Sequence, residues 1–236
     1  MGDTGAPILI LCAHGTRDPA GQAAVAAMGE CVRQRLGVEV RVAYVDVQEP
    51  EIDEVVLGIP ERAKGIAAVV VPYLLAGGYH VHVDIANAVR TRPDVVAALP
   101  LGPDRRLIAI LRDRVAAAAV HPTATLVLAP AGSSDARAQA DTEKTLDALR
   151  LAWDGPVRVG YAAGIEPTAA QAVAAARANG EYEEDSDVAV VSYLLSPGFF
   201  QDKLGDAGAD HVTAPLAPDE RLVDIIVDRY RDAAGI

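Results

Sequence analysis

The sequence predicts an α/β protein made of two duplicated, doubly wound parallel-sheet lobes facing each other across a cleft. Three observations predict it. First, short and almost wholly apolar runs alternate with longer stretches of helical periodicity, as strands buried on both faces alternate with their crossover helices. Second, four blocks occur twice in the same order. They begin at residues 9 and 126, 40 and 157, 68 and 188, and 100 and 215, giving offsets of 117, 117, 120 and 115. Such regular spacing marks a duplication, with a seam near 118–123 and lobes over 1–118 and 123–236. Third, the chain is 51% hydrophobic but only 4% aromatic. A core of alanine and valine suits helices packed on β-branched strands.

The elements follow in order. Apolar runs at 8–13, 38–45 and 66–75 read as the first three strands, and those at 124–130, 156–163 and 187–195 as their repeats. Weaker stretches at 95–101 and 211–216 supply a fourth strand to each lobe. In "DRRLIAILRDRVAAA", Leu107, Ile110, Leu111 and Val115 form one apolar stripe, and Leu222, Ile225, Ile226 and Tyr230 do so in "DERLVDIIVDRY". Asp104 and Asp219 fall in the first turns of these helices, where a carboxylate suits the dipole. Eight strands also admit a closed βα barrel. The clean seam, where helical segments meet without an intervening strand, favours two lobes.

Composition excludes several functions. With 21 basic and 33 acidic residues the formal charge is −12, and no basic stripe offers itself to nucleic acid. The N-terminal "MGDTGAPILILCAHG" lacks the charged start and cleavage site of a secretory signal. "IAAVVVPYLLAGG" is shorter than the ~18 residues that span a bilayer. A cytoplasmic protein without a membrane partner is expected. Cys12 and Cys31 read as two buried, reduced thiols. The dense charge run "EYEEDSD" (181–187) reads as a solvated loop.

A duplication carries its own control, because whatever both halves keep is explained by fold. Gly15 pairs with Gly132, Asp18 with Asp135, Pro50 with Pro167 and Gly78 with Gly198, all turn or cap positions. Three pairs change chemistry: His14 faces Ala131, Asp46 faces Ala163 and His80 faces Phe200. All three lie at or just past a strand end, the edge where open parallel sheets bind ligands. Two imidazoles and a carboxylate suit a divalent first-row metal. The metal site is therefore expected in the first lobe alone. His82 reads as a supporting or surface group, since residues two apart on a helix face different ways. His121 and His211 read as surface residues, and Glu49 and Glu51 as acids at a helix start. Ser133 and Ser134 in "AGSSD" have no base beside them and read as a helix cap. No dinucleotide fingerprint, Walker loop or nucleophile elbow is present.

Three of these stretches carry a family resemblance. "CAHGTRD", "YVDVQEPEI" and "VPYLLAGGYHVHVDI" resemble, in order and spacing, the strand-end motifs of class II tetrapyrrole chelatases. The chain is similar in particular to the sirohydrochlorin chelatases of the CbiX and SirB type, over nearly its whole length. The resemblance implies two α/β lobes around a cleft. It also implies insertion of Fe2+, Co2+ or, in some members, Ni2+ into a sirohydrochlorin-type tetrapyrrole, in sirohaem or cobalamin synthesis. The metal is then a substrate, and neither ATP nor another cofactor is required. His14 and His80 would be the catalytic, metal-handling histidines. Asp46 stands where the family often has glutamate, and its arm is shorter by one methylene.

The chemistry can be reasoned from the residues. The macrocycle must lose two pyrrole protons as a dication enters, and a neutral imidazole can accept one. The same imidazole can hold the metal weakly enough to pass it on. Ligand and base roles for His14 and His80 both stay open at this point. The substrate's carboxylates need cations or helix N-termini, for which Arg17 and Arg137 are candidates. A carrier of metal or tetrapyrrole without turnover is the competing reading.

Overall fold

The computed structural model describes residues 5–62, 64–178 and 187–236. Residues 1–4 of the N-terminal segment and all of "EYEEDSD" except Asp187 lie outside the described residues. The first repeat runs β1 (Ile8–Ala13), α1 (Pro19–Leu36), β2 (Val40–Tyr44), α2 (Ile52–Leu57) and β3 (Ala68–Pro72). A π-helical turn (His80–Ile85) then continues into α3 (Ala86–Arg90), followed by β4 (Val95–Ala97) and α4 (Arg105–Ala117). The second runs β5 (Thr125–Pro130), α5 (Ala136–Arg150), β6 (Val157–Val159), α6 (Ala169–Ala178) and β7 (Val188–Tyr193). It ends with α7 (Phe199–Gly205), β8 (His211–Val212) and α8 (Glu220–Ala234).

The strands form two separate parallel sheets, ordered β2-β1-β3-β4 and β6-β5-β7-β8, rather than one closed barrel. Helices cover both faces, which is why the central strands are almost wholly buried and mostly apolar. In the first sheet Ile10, Cys12, Ala68 and Val70 pack with Ile52, Val56 and Ile85 from the α2 side. On the opposite face α1 comes close enough for a methyl at Gly29 to meet Val42 and Leu11. The second sheet repeats the arrangement, with Val127, Ala129 and Val190 against Ala172, Val173 and Ala176 of α6. No helix among the described residues is long and apolar enough to cross a membrane.

The packing boundary differs from the repeat boundary. One compact unit comprises residues 1–102 and 220–236, the other 103–219, where the repeat predicts 1–118 and 123–236. The two last helices account for the difference, because α4 packs in the second unit against β7 and α8 in the first against β3. Each is held by the same device. Arg114 on α4 donates to the carbonyls of Pro215 (2.9 Å), Leu216 (2.8 Å) and Pro218 (2.9 Å). Its counterpart Arg229 on α8 donates to those of Pro100 (2.9 Å) and Leu101 (3.4 Å). Tyr230 adds a bond from its hydroxyl to the Pro7 carbonyl at 2.6 Å, and Arg35 of α1 pairs with Glu220 and Asp224.

Local details correct some smaller expectations. Asp18, Asp104 and Asp135 are N-caps, accepting the N–H groups of Gly21, Arg106 and Arg137 at 2.9 Å each. Asp104 thus precedes its helix instead of lying in the first turn. The cap before α5 is Asp135, while the Ser133 hydroxyl accepts the Asp135 N–H at 3.1 Å. Glu51 occupies the N-cap position of α2 without a side-chain bond. Cys12 is buried, but Cys31 is exposed on α1, where its position faces away from the sheet.

Candidate functional site

Strand order decides where a ligand can sit. In the first sheet β1 leads to β2 on one side, whereas β3, its other neighbour, leads to β4 on the opposite side. The chain leaves these adjacent strands in opposite directions, and the carboxyl ends of such a pair are where open parallel sheets bind ligands. His14 follows β1 by one residue, and His80 opens the π-helical turn after β3.

The His14 loop is fixed mainly by backbone contacts. The Asp46 N–H donates to the His14 carbonyl at 3.0 Å, and the Thr16 N–H donates to the Gln48 side chain at 2.8 Å. Gln22 of α1 donates to the Thr16 carbonyl at 2.9 Å. Gly15, at φ +99°, is required because a Cβ there would overlap the Asp46 carbonyl oxygen. The second unit repeats this scaffold. Ala163 N–H bonds the Ala131 carbonyl at 2.9 Å, Gln139 bonds the Ser133 carbonyl at 3.0 Å, and Gly132 sits at φ +103°. A common loop thus carries an imidazole in one unit and a methyl group in the other.

The two histidines meet. Their ring centroids lie 4.7 Å apart with planes at 85°, and Tyr79 stands edge-on to His80 at 5.9 Å. His14 is exposed, and its Nδ1 lies 3.3 Å from the Gly15 carbonyl. His80 is half-buried, with Nδ1 2.7 Å from Oδ2 of Asp84. Sequence reasoning missed Asp84. The available signal was its four-residue spacing from His80, which on a helical turn puts both side chains on one face. The turn itself is π-helical, a form that recurs at functional sites, while its counterpart in the second unit begins the α-helix α7.

Asp46 is placed otherwise than its residue type suggests. Its main chain touches the His14 loop, but its exposed carboxylate accepts the N–H of Val47 at 2.8 Å. Val47 has a left-handed backbone, φ 66°, which closes this tight turn. Among the described residues no group of three or more His, Cys, Asp or Glu side chains is gathered for a metal. The imidazole pair comes together, and the Asp46 carboxylate does not join it. Cys12, below the loop, is no substitute donor. Burial, and secondarily the charge of Asp84, push its thiol up to about 12, and a metal is bound by the thiolate.

The remaining candidates lie elsewhere. His82 is exposed within the π-helical turn; His121 bonds Thr123 at 3.0 Å; His211, in β8, lies 3.3 Å from Asp187. Arg17 is exposed, whereas Arg137 is engaged by Asp135 at 2.6 and 3.0 Å. At the corresponding edge of the second unit stand Phe199 and Phe200, the only phenylalanines of the chain, 66% and 39% exposed. Neither offers a lone pair to a metal.

Comparison with known proteins gives a consistent result. A sirohydrochlorin cobaltochelatase of Sulfolobus acidocaldarius is 30% identical over 109 residues, which are 45% of this chain and 87% of that protein. SirB from Bacillus subtilis with Fe3+ superposes with a TM-score of 0.76 at 20% identity, over 97% of this chain and 96% of that one. SirB from Bacillus subtilis subspecies spizizenii in complex with cobalt gives 0.75 at 19% identity, over 98% and 96%. At such identities the structures speak for the fold. The CbiX family profile matches residues 8–118 and again 125–233, taking in both repeats, and the chain belongs to the CbiX family.

Proposed function

We propose that this protein is a sirohydrochlorin chelatase that inserts Fe2+ or Co2+ into a sirohydrochlorin-type tetrapyrrole, in sirohaem or cobalamin synthesis. The observation that carries this reading is the pair of imidazoles 4.7 Å apart at the carboxyl edge of the first sheet. Membership of the CbiX family and the names of its relatives support the substrate class. Metal and macrocycle are the two substrates, and no ATP or resident cofactor is needed.

His14 and His80 receive the metal. Two neutral nitrogen donors bind a first-row dication while leaving most of its coordination positions to water. Such incomplete coordination favours hand-over to the four nitrogens of the macrocycle. As the dication enters, the two pyrrole N–H groups lose their protons, and each imidazole, once its lone pair has released the metal, is a competent acceptor for one of them. Asp46 contributes through its main chain, which holds the His14 loop. The second unit, with Ala131, Ala163 and Phe200 at the matching positions, provides no second metal-handling pair.

The test is the absorption change of sirohydrochlorin mixed with Fe2+, Co2+ or Ni2+ and catalytic amounts of protein, corrected for spontaneous insertion. His14→Ala and His80→Ala are each expected to lower the initial rate ~100-fold, within the range for one acid–base group. Asp46→Ala is expected to cost less. A folded double variant His14→Ala, His80→Ala that turned over at the parent rate would refute the reading.

A further inference from the structure

The two imidazoles are not held alike, and the difference has a chemical consequence. His80 Nδ1 lies 2.7 Å from Asp84 Oδ2, and both side chains are largely withdrawn from solvent, 33% and 29% exposed. A carboxylate oxygen offers only lone pairs, so the ring nitrogen is the donor in this contact. Among the described residues no acid contacts His14 in this way. Its ring lies 3.3 Å from a main-chain carbonyl and is exposed.

We infer that Asp84 is a positioning residue which fixes His80 as the Nδ1–H tautomer and presents its Nε2 lone pair for the metal. The inference rests on the proposed metal-handling role of His80. Three observations converge on it. The contact is short and lies within one turn, so little chain entropy is lost in forming it. The turn is π-helical in this unit, whereas the corresponding segment of the second unit is α-helical. At the offset of 120 residues that pairs His80 with Phe200, Asp84 pairs with Leu204, which is buried. The acid is thus present where the imidazole is present, and replaced by an apolar side chain where it is not. A fold requirement would put the same residue in both units.

A histidine with one nitrogen committed to a carboxylate keeps one tautomer and one ring orientation, and its other nitrogen becomes a better donor to a metal. Removing such a partner costs roughly 10–100-fold in metal affinity. His80 is therefore the oriented member of the pair, and His14 the member free to turn.

The experiment uses full-length protein labelled with 15N at histidine, with and without Co2+ and in the absence of tetrapyrrole. Long-range 1H–15N spectra report the tautomer of each ring, and a Co2+ titration followed in the visible reports affinity. In the parent, His80 should show a protonated Nδ1 and an unprotonated Nε2. Asp84→Ala should mix the two tautomers and weaken Co2+ binding about 10-fold or more. Asp84→Asn, which keeps an acceptor oxygen, should retain the Nδ1–H form and most of the affinity. Should Asp84→Ala fail to fold, Asp84→Leu carries the same expectation, since the second unit places a leucine there. An unchanged His80 tautomer or unchanged Co2+ affinity in the folded variant overturns the inference, as does an Asp84→Asn protein as impaired as Asp84→Ala. These readouts involve no turnover, so a failure of the insertion reaction would count against the proposed function and leave the Asp84 result standing.

Discussion

A single methyl group at Gly15 would be driven into the Asp46 carbonyl oxygen, at a backbone φ of +99° that L side chains rarely adopt. Gly132 meets the Ala163 carbonyl in the same way at φ +103°. Gly15→Ala and Gly132→Ala should therefore lose similar stability, about 2 kcal/mol each from overlap and backbone strain. Only Gly15→Ala should also slow metal insertion, because only that loop carries an imidazole. Urea unfolding and initial rates on both variants check this, and equal losses of rate would break the link between loop geometry and His14. The same comparison of halves made His14 and His80 legible in sequence, since each faces a residue without a lone pair to offer. Asp84 was not legible, because an acid four residues along a helical segment looks like any solvated acid. Nor was the direction of the Asp46 carboxylate, which depends on a left-handed valine that no residue preference suggests.

Between elements, the repeat shows what a buried polar atom requires. Tyr73 follows β3 and Tyr193 is the last residue of β7, 120 residues apart, and both are buried. The Tyr193 hydroxyl lies 3.3 Å from Thr145 Oγ1 on α5, and burial pushes both phenols well above their ordinary range. On α1 the place of Thr145 is taken by Met28, at the 117-residue offset, and Tyr73 Oη has no partner among the described residues. Tyr193→Phe should cost about 1 kcal/mol, whereas Tyr73→Phe should be neutral or stabilising by a similar amount. Parallel urea melts of the two variants decide it, and an equal cost at both sites would refute the argument. The first three strands of each repeat were legible at this scale because parallel strands covered on both faces read as continuous apolar runs, whereas the short, partly exposed edge strands β4 and β8 left only weaker stretches. One insertion was recorded too. The offset falls from 120 to 115 between the third and fourth blocks, and α3, five residues long, has no counterpart between α7 and β8. The π-helical turn was not legible, since the apolar spacing of "HVHVDI" suits either kind of helix.

For the molecule as a whole, the last helix of each repeat belongs to the other compact unit, and sequence periodicity could not reveal this. An apolar stripe shows that a helix must be covered, not which sheet covers it. Similar repeats make the problem worse, because α4 and α8 carry closely similar apolar stripes. The consequence is a strong inequality between two fragments of similar length. Residues 103–219 form a contiguous unit with its own sheet and with α4 already in place. Residues 1–118 match the repeat, yet they lack α8, which covers their sheet, and carry α4, which packs on the other sheet. The missing helix buries Leu222, Ile225, Ile226 and Tyr230 almost completely. At about 2 kcal/mol for each such side chain, its loss approaches the whole 5–15 kcal/mol stability of a typical domain. The fragment 103–219 is therefore expected to fold as a monomer with a cooperative melt. The fragment 1–118 should fold only by lending α4 to a second copy in the position of α8, and so sediment as a dimer or aggregate. Circular dichroism and analytical ultracentrifugation on both fragments provide the check. A folded, monomeric 1–118 would show that α8 is dispensable to the first sheet and that the repeat boundary is the packing boundary after all.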